Sequence, residues 1–148
     1  MDYMLLVNNI KKYCDPFKSY VWRNLDRPIT RKEIKESLSK EKDKILKGYN
    51  FLLQSFDENE RIGHILRIAY FSICGWKDSI SIDVGIPNFC NVNWFVIDGN
   101  HRLAAAIFRR DEEMLVNFSG SIEFGKELGL YVEKVTVDRM VELVDTIK

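Results

Sequence analysis

The sequence predicts an α+β fold, a small mixed sheet with packed helices, and three stretches carry that prediction. Ser79-Ile80-Ser81-Ile82-Asp83-Val84 alternates polar and apolar residues, the pattern of a half-buried strand. Trp94-Phe95-Val96-Ile97 is a continuous apolar run that stops at Asp98-Gly99 and passes straight into the helix-forming Leu103-Ala104-Ala105-Ala106. Ile62, Leu66, Ala69 and Ile73 recur at helical spacing and mark a core-facing stripe. No internal repeat or low-complexity linker divides the chain. A single domain over 1–148 is therefore expected, with a helical N-terminal part at 1–57 and an α+β core at 58–148.

Taken in order, Met4–Tyr13 and Phe17–Leu25 read as short amphipathic helices interrupted by Asp15-Pro16. Trp22, Tyr13, Phe17 and Tyr20 in them are expected to seal the domain or a homodimer contact. Thr30 followed by Glu33 predicts a capping box opening a charged helix toward Phe56, with Ile34, Leu38, Ile45 and Leu46 on one side and Gly48 as a break. The next helix spans roughly Glu58 to Cys74, and Gly75 stops it. Strand 79–84 ends at Gly85, Pro87 and Asn88. After the Asp98–Arg102 junction and its helix come a strand at Met114–Phe118, a short helix at Ser121–Leu128, a strand at Leu130–Val135 and a terminal helix marked by Val137, Val144 and Ile147.

Composition narrows the function classes. Lys plus Arg and Asp plus Glu each total 22, so no net field attracts nucleic acid or a membrane, although a basic patch can hide within a neutral total. The start Met1-Asp2-Tyr3-Met4 has neither the basic flank of a secretory signal nor the length of a membrane span. Cys14, Cys74 and Cys90 are odd in number and widely spaced, which suggests reduced thiols in a cytoplasm.

The chemistry concentrates at Asp98-Gly99-Asn100-His101-Arg102. A strand-to-helix turn brings backbone N–H groups and the positive end of a helix dipole together, a ready site for phosphate. Asp98 is placed as an N-cap, a general base or a magnesium ligand, and Gly99 lets the backbone approach a ligand. Asn100 adds a neutral donor and acceptor, His101 donates a hydrogen bond or transfers a proton, and Arg102 offers a fixed fork for phosphate. The bland alternative is that Asp98 and Gly99 only make the turn and Arg102 only pairs with an acid such as Asp83. Asp83 would otherwise reach the junction from the neighbouring strand, as a base or magnesium ligand.

Ile97-Asp98-Gly99-Asn100-His101-Arg102-Leu103-Ala104-Ala105 resembles the Asp-Gly-x-His-Arg-x-x-Ala motif of the ParB/sulfiredoxin-like superfamily. The resemblance extends more loosely over about 64–121. It implies a ParB/sulfiredoxin-like core whose motif binds nucleotide phosphate, with ADP, ATP or CTP as candidate ligands and magnesium as a companion. Asn100 stands where sulfiredoxins carry their catalytic Cys, which argues against sulfinic-acid reduction. ParB partition proteins follow the motif with a helix-turn-helix domain, for which the sequence after residue 121 is expected to be too short. The free-serine-kinase type, Asp-Gly-His-His-Arg, is the nearest motif match, with Asn100 in place of its first His and no identifiable catalytic glutamate.

Lesser candidates complete the reading. His64 and Arg67 share a helix face and are expected to be a surface pair, with an assisting role toward an anion as the alternative. A metal site from His64, Cys90, Asp98 and His101 has no ligand-like spacing. Trp76 and Trp94 are core aromatics or base-stacking platforms. Ser119-Gly120-Ser121 caps a helix or offers N–H groups. The expectation is a cytoplasmic nucleotide- or phosphate-binding protein, with a phosphotransferase or nucleotide hydrolase as its enzymatic form. Its catalytic set is Asp98, His101 and Asp83, and its ligand set Gly99, Asn100, His101 and Arg102. The alternative is a non-catalytic accessory protein of a phage or mobile element that binds a partner or nucleic acid.

Overall fold

The computed structural model describes residues 2–19, 21–22, 25–46, 61–88, 95–130 and the backbone of 133–134. Strand β1 (Asp2–Leu6) leads directly into the short helix α1 (Val7–Lys11). Helices α2 (Arg31–Lys40), α3 (Lys42–Leu46) and α4 (Arg61–Cys74) follow, then strands β2 (Ile80–Asp83) and β3 (Val96–Asp98). Helix α5 (Asn100–Arg109), strand β4 (Glu113–Ser119), helix α6 (Ile122–Glu127) and strand β5 (Glu133–Lys134) complete the order.

One five-stranded sheet runs β3-β2-β4-β1-β5. Strands β2 and β4 are parallel, whereas β1 is antiparallel to β4 and β5, and β2 to β3. The α+β class is thus as the sequence predicts.

The N-terminal part departs from expectation. Residues 2–6 form a strand with two partners rather than the start of a helix, so the sheet draws on the first residues as well as on those after 61. Tyr3, Met4 and Leu5 are consecutive and all buried. Burial on both faces explains a continuous apolar run in place of alternation. Residues 17–19, 21, 22 and 25 are turns and irregular backbone rather than a helix. Trp22 nevertheless seals the core, its indole N–H donating to the Pro16 carbonyl at 3.2 Å.

The Thr30 capping box forms in full. Ile34 and Ile45 are buried as expected, but Leu46 is exposed and the charged stretch breaks at Glu41 between α2 and α3. Gly75 ends α4 at φ 78°. Phe56, Glu58, Trp94, Cys90, Tyr20, Gly48 and the anticipated terminal helix lie outside the described residues.

Helix α5 carries the junction and packs on two sides. Leu103, Ala106 and Ile107 enter the core cluster over the sheet, with Ile80, Ile82 and Val116. Ala104 and Ala105 belong to a second cluster with Ile65 and Ile68 of α4, Ile34 of α2 and Trp22. The three alanines are fully buried, so their small size lets α5 lie between two layers.

Candidate functional site

The site is the turn from β3 into α5. Ser81 pairs with Asp98 across β2 and β3, which sets the turn at the edge of the sheet. Gly99, not Asp98, is the N-cap of α5, at φ 102° in the left-handed region. A Cβ there would lie 2.5 Å from Ile80 Cγ2, so both dihedral and packing require glycine. No side chain caps the helix. Its first-turn N–H groups are left without a side-chain acceptor, the arrangement that attracts anions.

Asp98 is freed from capping and lies at the surface, its side chain 75% exposed. Its carboxylate accepts from Arg102 Nη2 at 3.1 Å. Asp78 approaches Arg102 Nη1 at 3.8 Å, so two exposed acids flank a guanidinium that is itself only 15% exposed. The Arg102 Nε–H is buried and has no acceptor among the described residues.

Asp83 is not one of these acids. It stands two residues beyond Ser81 on β2, opposite Ser119 of β4, and its carboxylate accepts the Gly85 N–H at 2.8 Å. Its short side chain folds back on its own turn, as Asp does at strand ends. The expected Asp83–Arg102 pairing is therefore replaced by Asp98 and Asp78.

His101 turns inward. Its Nε2 lies 2.8 Å from His64 Nδ1 on α4, a hydrogen bond carried by one shared proton position. The rings stack at 5.1 Å between centroids, and Trp22 covers both at 4.9 and 5.0 Å. Burial, then the nearby His64, Arg67 and Arg102, push the His101 pKa down to about 3. Neutral imidazole is thus its working form. Arg67 is buried at 4% exposure, which overturns the expected surface pair with His64.

The His64–His101–Trp22 stack was not read from the sequence. The signal available was that the chain has two histidines, both on helices that must pack together. Also unforeseen, the buried Cys14 thiol approaches Asn100 Oδ1 at 3.8 Å. Burial and the neighbouring Asp15 push its pKa up to about 11, so it is held as an unreactive thiol. Ser121 caps α6 by accepting the Phe124 N–H, the role expected of that loop. Trp76 is buried, its indole donating to Asp111 at 3.1 Å.

Among the described residues no three His, Cys, Asp or Glu side chains group as a metal site. No described helix is long and apolar enough to cross a membrane. Comparison with protein-family models, curated proteins and solved structures finds no significant match.

Proposed function

We propose that the chain binds a nucleotide or other phosphorylated small molecule at the start of α5, as a ParB/sulfiredoxin-like protein. The observation that carries this reading is the uncapped N-terminus of a ten-residue helix with Arg102 beside it. Backbone N–H groups of Gly99 and Asn100 meet the phosphate, and the Asn100 amide and Arg102 guanidinium stand next to it. Arg102 gives up the exposed Asp98 and Asp78 for phosphate at little cost, because exposed ion pairs contribute little.

Phosphotransfer or nucleotide hydrolysis is the extension of this reading. Asp98 is then the accessible base or, with Asp78, the carboxylate that accompanies magnesium on the phosphates. A magnesium ion bound through one or two acids and substrate oxygens needs no larger protein cage. It would supply charge neutralisation at the phosphoryl oxygens. His101 has Nε2 committed to His64, so its contribution is to hold the turn against α4. That inward orientation favours a second reading, a binding module that holds the nucleotide without turning it over.

Calorimetry with ADP, ATP, CTP and GTP, with and without magnesium, tests the proposal. Saturable binding that falls by roughly 10-fold or more in Arg102→Ala is expected, the loss typical of a charge-assisted contact. Absence of binding at millimolar nucleotide sinks it. Product formation that disappears in Asp98→Asn separates the enzyme from the binding module.

A further inference from the structure

Two clefts adjoin α1, the first at the end of α5 and the second beside Cys14, which contacts Asn100 at the start of α5, and cationic side chains collect around them. The first, about 610 Å³, is lined by Lys11, Arg31, Lys35 and Arg110 together with Phe108. The second, about 450 Å³, is lined by Lys11, Lys12, Lys18 and Tyr13. Asn8 and Lys11, one helical turn apart on α1, border both.

The acids nearby offset this charge only in part. Asp111 is already engaged, by the Trp76 indole at 3.1 Å and by Arg109 Nε at 3.6 Å. Asp15 lines the second cleft but is itself buried, one oxygen accepting the Phe17 N–H at 2.9 Å and the other without a donor among the described residues. Glu112 is the third. Six cations therefore face three acids on a chain whose formal charge is zero. Arg31 is pre-positioned, its guanidinium 4.8 Å over the Phe17 ring.

We propose that this double cleft binds single-stranded nucleic acid, its cations tracking successive phosphates and Tyr13 and Phe108 offering ring surface to bases. A mononucleotide fills one cleft of this size, whereas two clefts sharing Lys11 suit a chain of phosphates. Tyr13 is 42% exposed, held by its hydroxyl donating to the Leu128 carbonyl and by the Phe95 ring 5.4 Å away, and stacking on the part left open needs unpaired bases, which selects a single strand over a duplex. The proposal does not rest on nucleotide binding at the start of α5, although the second cleft adjoins that turn through Cys14 and Asn100. Arg110, at the C-terminal end of α5, lies about 15 Å along that helix from Gly99.

The test is fluorescence anisotropy of a labelled oligothymidylate of about 12 nucleotides, within the usual site size for a strand-binding groove. Binding at low salt is expected, with log Kd rising against log salt at about 0.7 per phosphate contacted. Lys35→Glu in one cleft and Lys18→Glu in the other are each expected to weaken binding at least 5-fold and to lower the salt slope. Both lysines are exposed, as is the control Lys40→Glu, which lines neither cleft; circular dichroism checks that all three variants fold. Arg102→Ala is expected to bind the oligonucleotide normally. The proposal is overturned by no binding at low salt, by a dinucleotide or inorganic triphosphate binding as tightly as the longer strand, or by Lys18→Glu having no effect.

Discussion

Gly99 holds together two demands that no other residue meets. Its φ of 102° belongs to the left-handed region, and Ile80 occupies the space a Cβ would need. Gly99→Ala is expected to destabilise the fold by about 1–3 kcal/mol, seen as a lower urea midpoint, since a strained non-glycine backbone carries that order of cost. His101 acts through its protonation state. Its folded pKa of about 3 lies below the ordinary 6.5, so the unfolded chain takes up a proton that the folded chain refuses. The stability it contributes is complete above pH 6.5 and falls with acidification toward pH 3, with a limiting slope of about 1.4 kcal/mol per pH unit. Glu33, held down to about 2 chiefly by its hydrogen bonds from Arg61, adds a second loss below pH 4.5. Urea melts from pH 7 to 5 therefore report the hydrogen-bonded His64–His101 pair, and His101→Gln is expected to flatten that dependence; an unchanged slope contradicts the assignment. At this scale the sequence makes the junction's residue types legible but not their directions. Asp98 and Arg102 meet because they are four apart across a helix start, a local spacing that the expectation of Asp83 as the acid for Arg102 passes over. That His101 faces inward depends on α4, whose approach no local pattern encodes.

Helix α2 is tied to α4 by a compact polar knot. Glu33 closes the Thr30 capping box and also receives two hydrogen bonds from Arg61, at 2.7 and 2.6 Å. Arg61 donates further to the carbonyls of Arg27 and Pro28, at 2.9 and 2.8 Å. The bidentate geometry and the half-buried setting make this pair worth more than a surface ion pair. Arg61→Ala is expected to cost about 1–3 kcal/mol in chemical denaturation, because it removes the donor to the Arg27 and Pro28 carbonyls and leaves the Glu33 carboxylate with only Thr30 and the exposed Arg27. The capping box was readable from Thr30 and Glu33 alone, being a local motif. Its second role was not, since Arg61 arrives from 28 residues away. The same reasoning accounts for β1. Met4-Leu5-Leu6-Val7 fits a buried strand and a buried helix equally well, and pairing with β4 and β5 decides between them.

The arrangement of the sheet places charge and shape on different sides of α5. Its beginning presents N–H groups at the sheet edge, and its end meets the first of the two cationic clefts beside α1. A neutral composition concealed that separation, because a total cannot report how charges are distributed in space. Strand β1 has a further consequence. Its partners are residues 113–117 on one side and 133–134 on the other, so β1 is synthesised well before the strands it pairs with and waits for them. Until β4 emerges, three consecutive apolar side chains have no sheet to enter and stay available to wrong partners. Pairings so distant in sequence slow folding, because the loop must close before any contact rewards it. The interval between making β1 and seating it is thus the period when this chain most needs protection from aggregation.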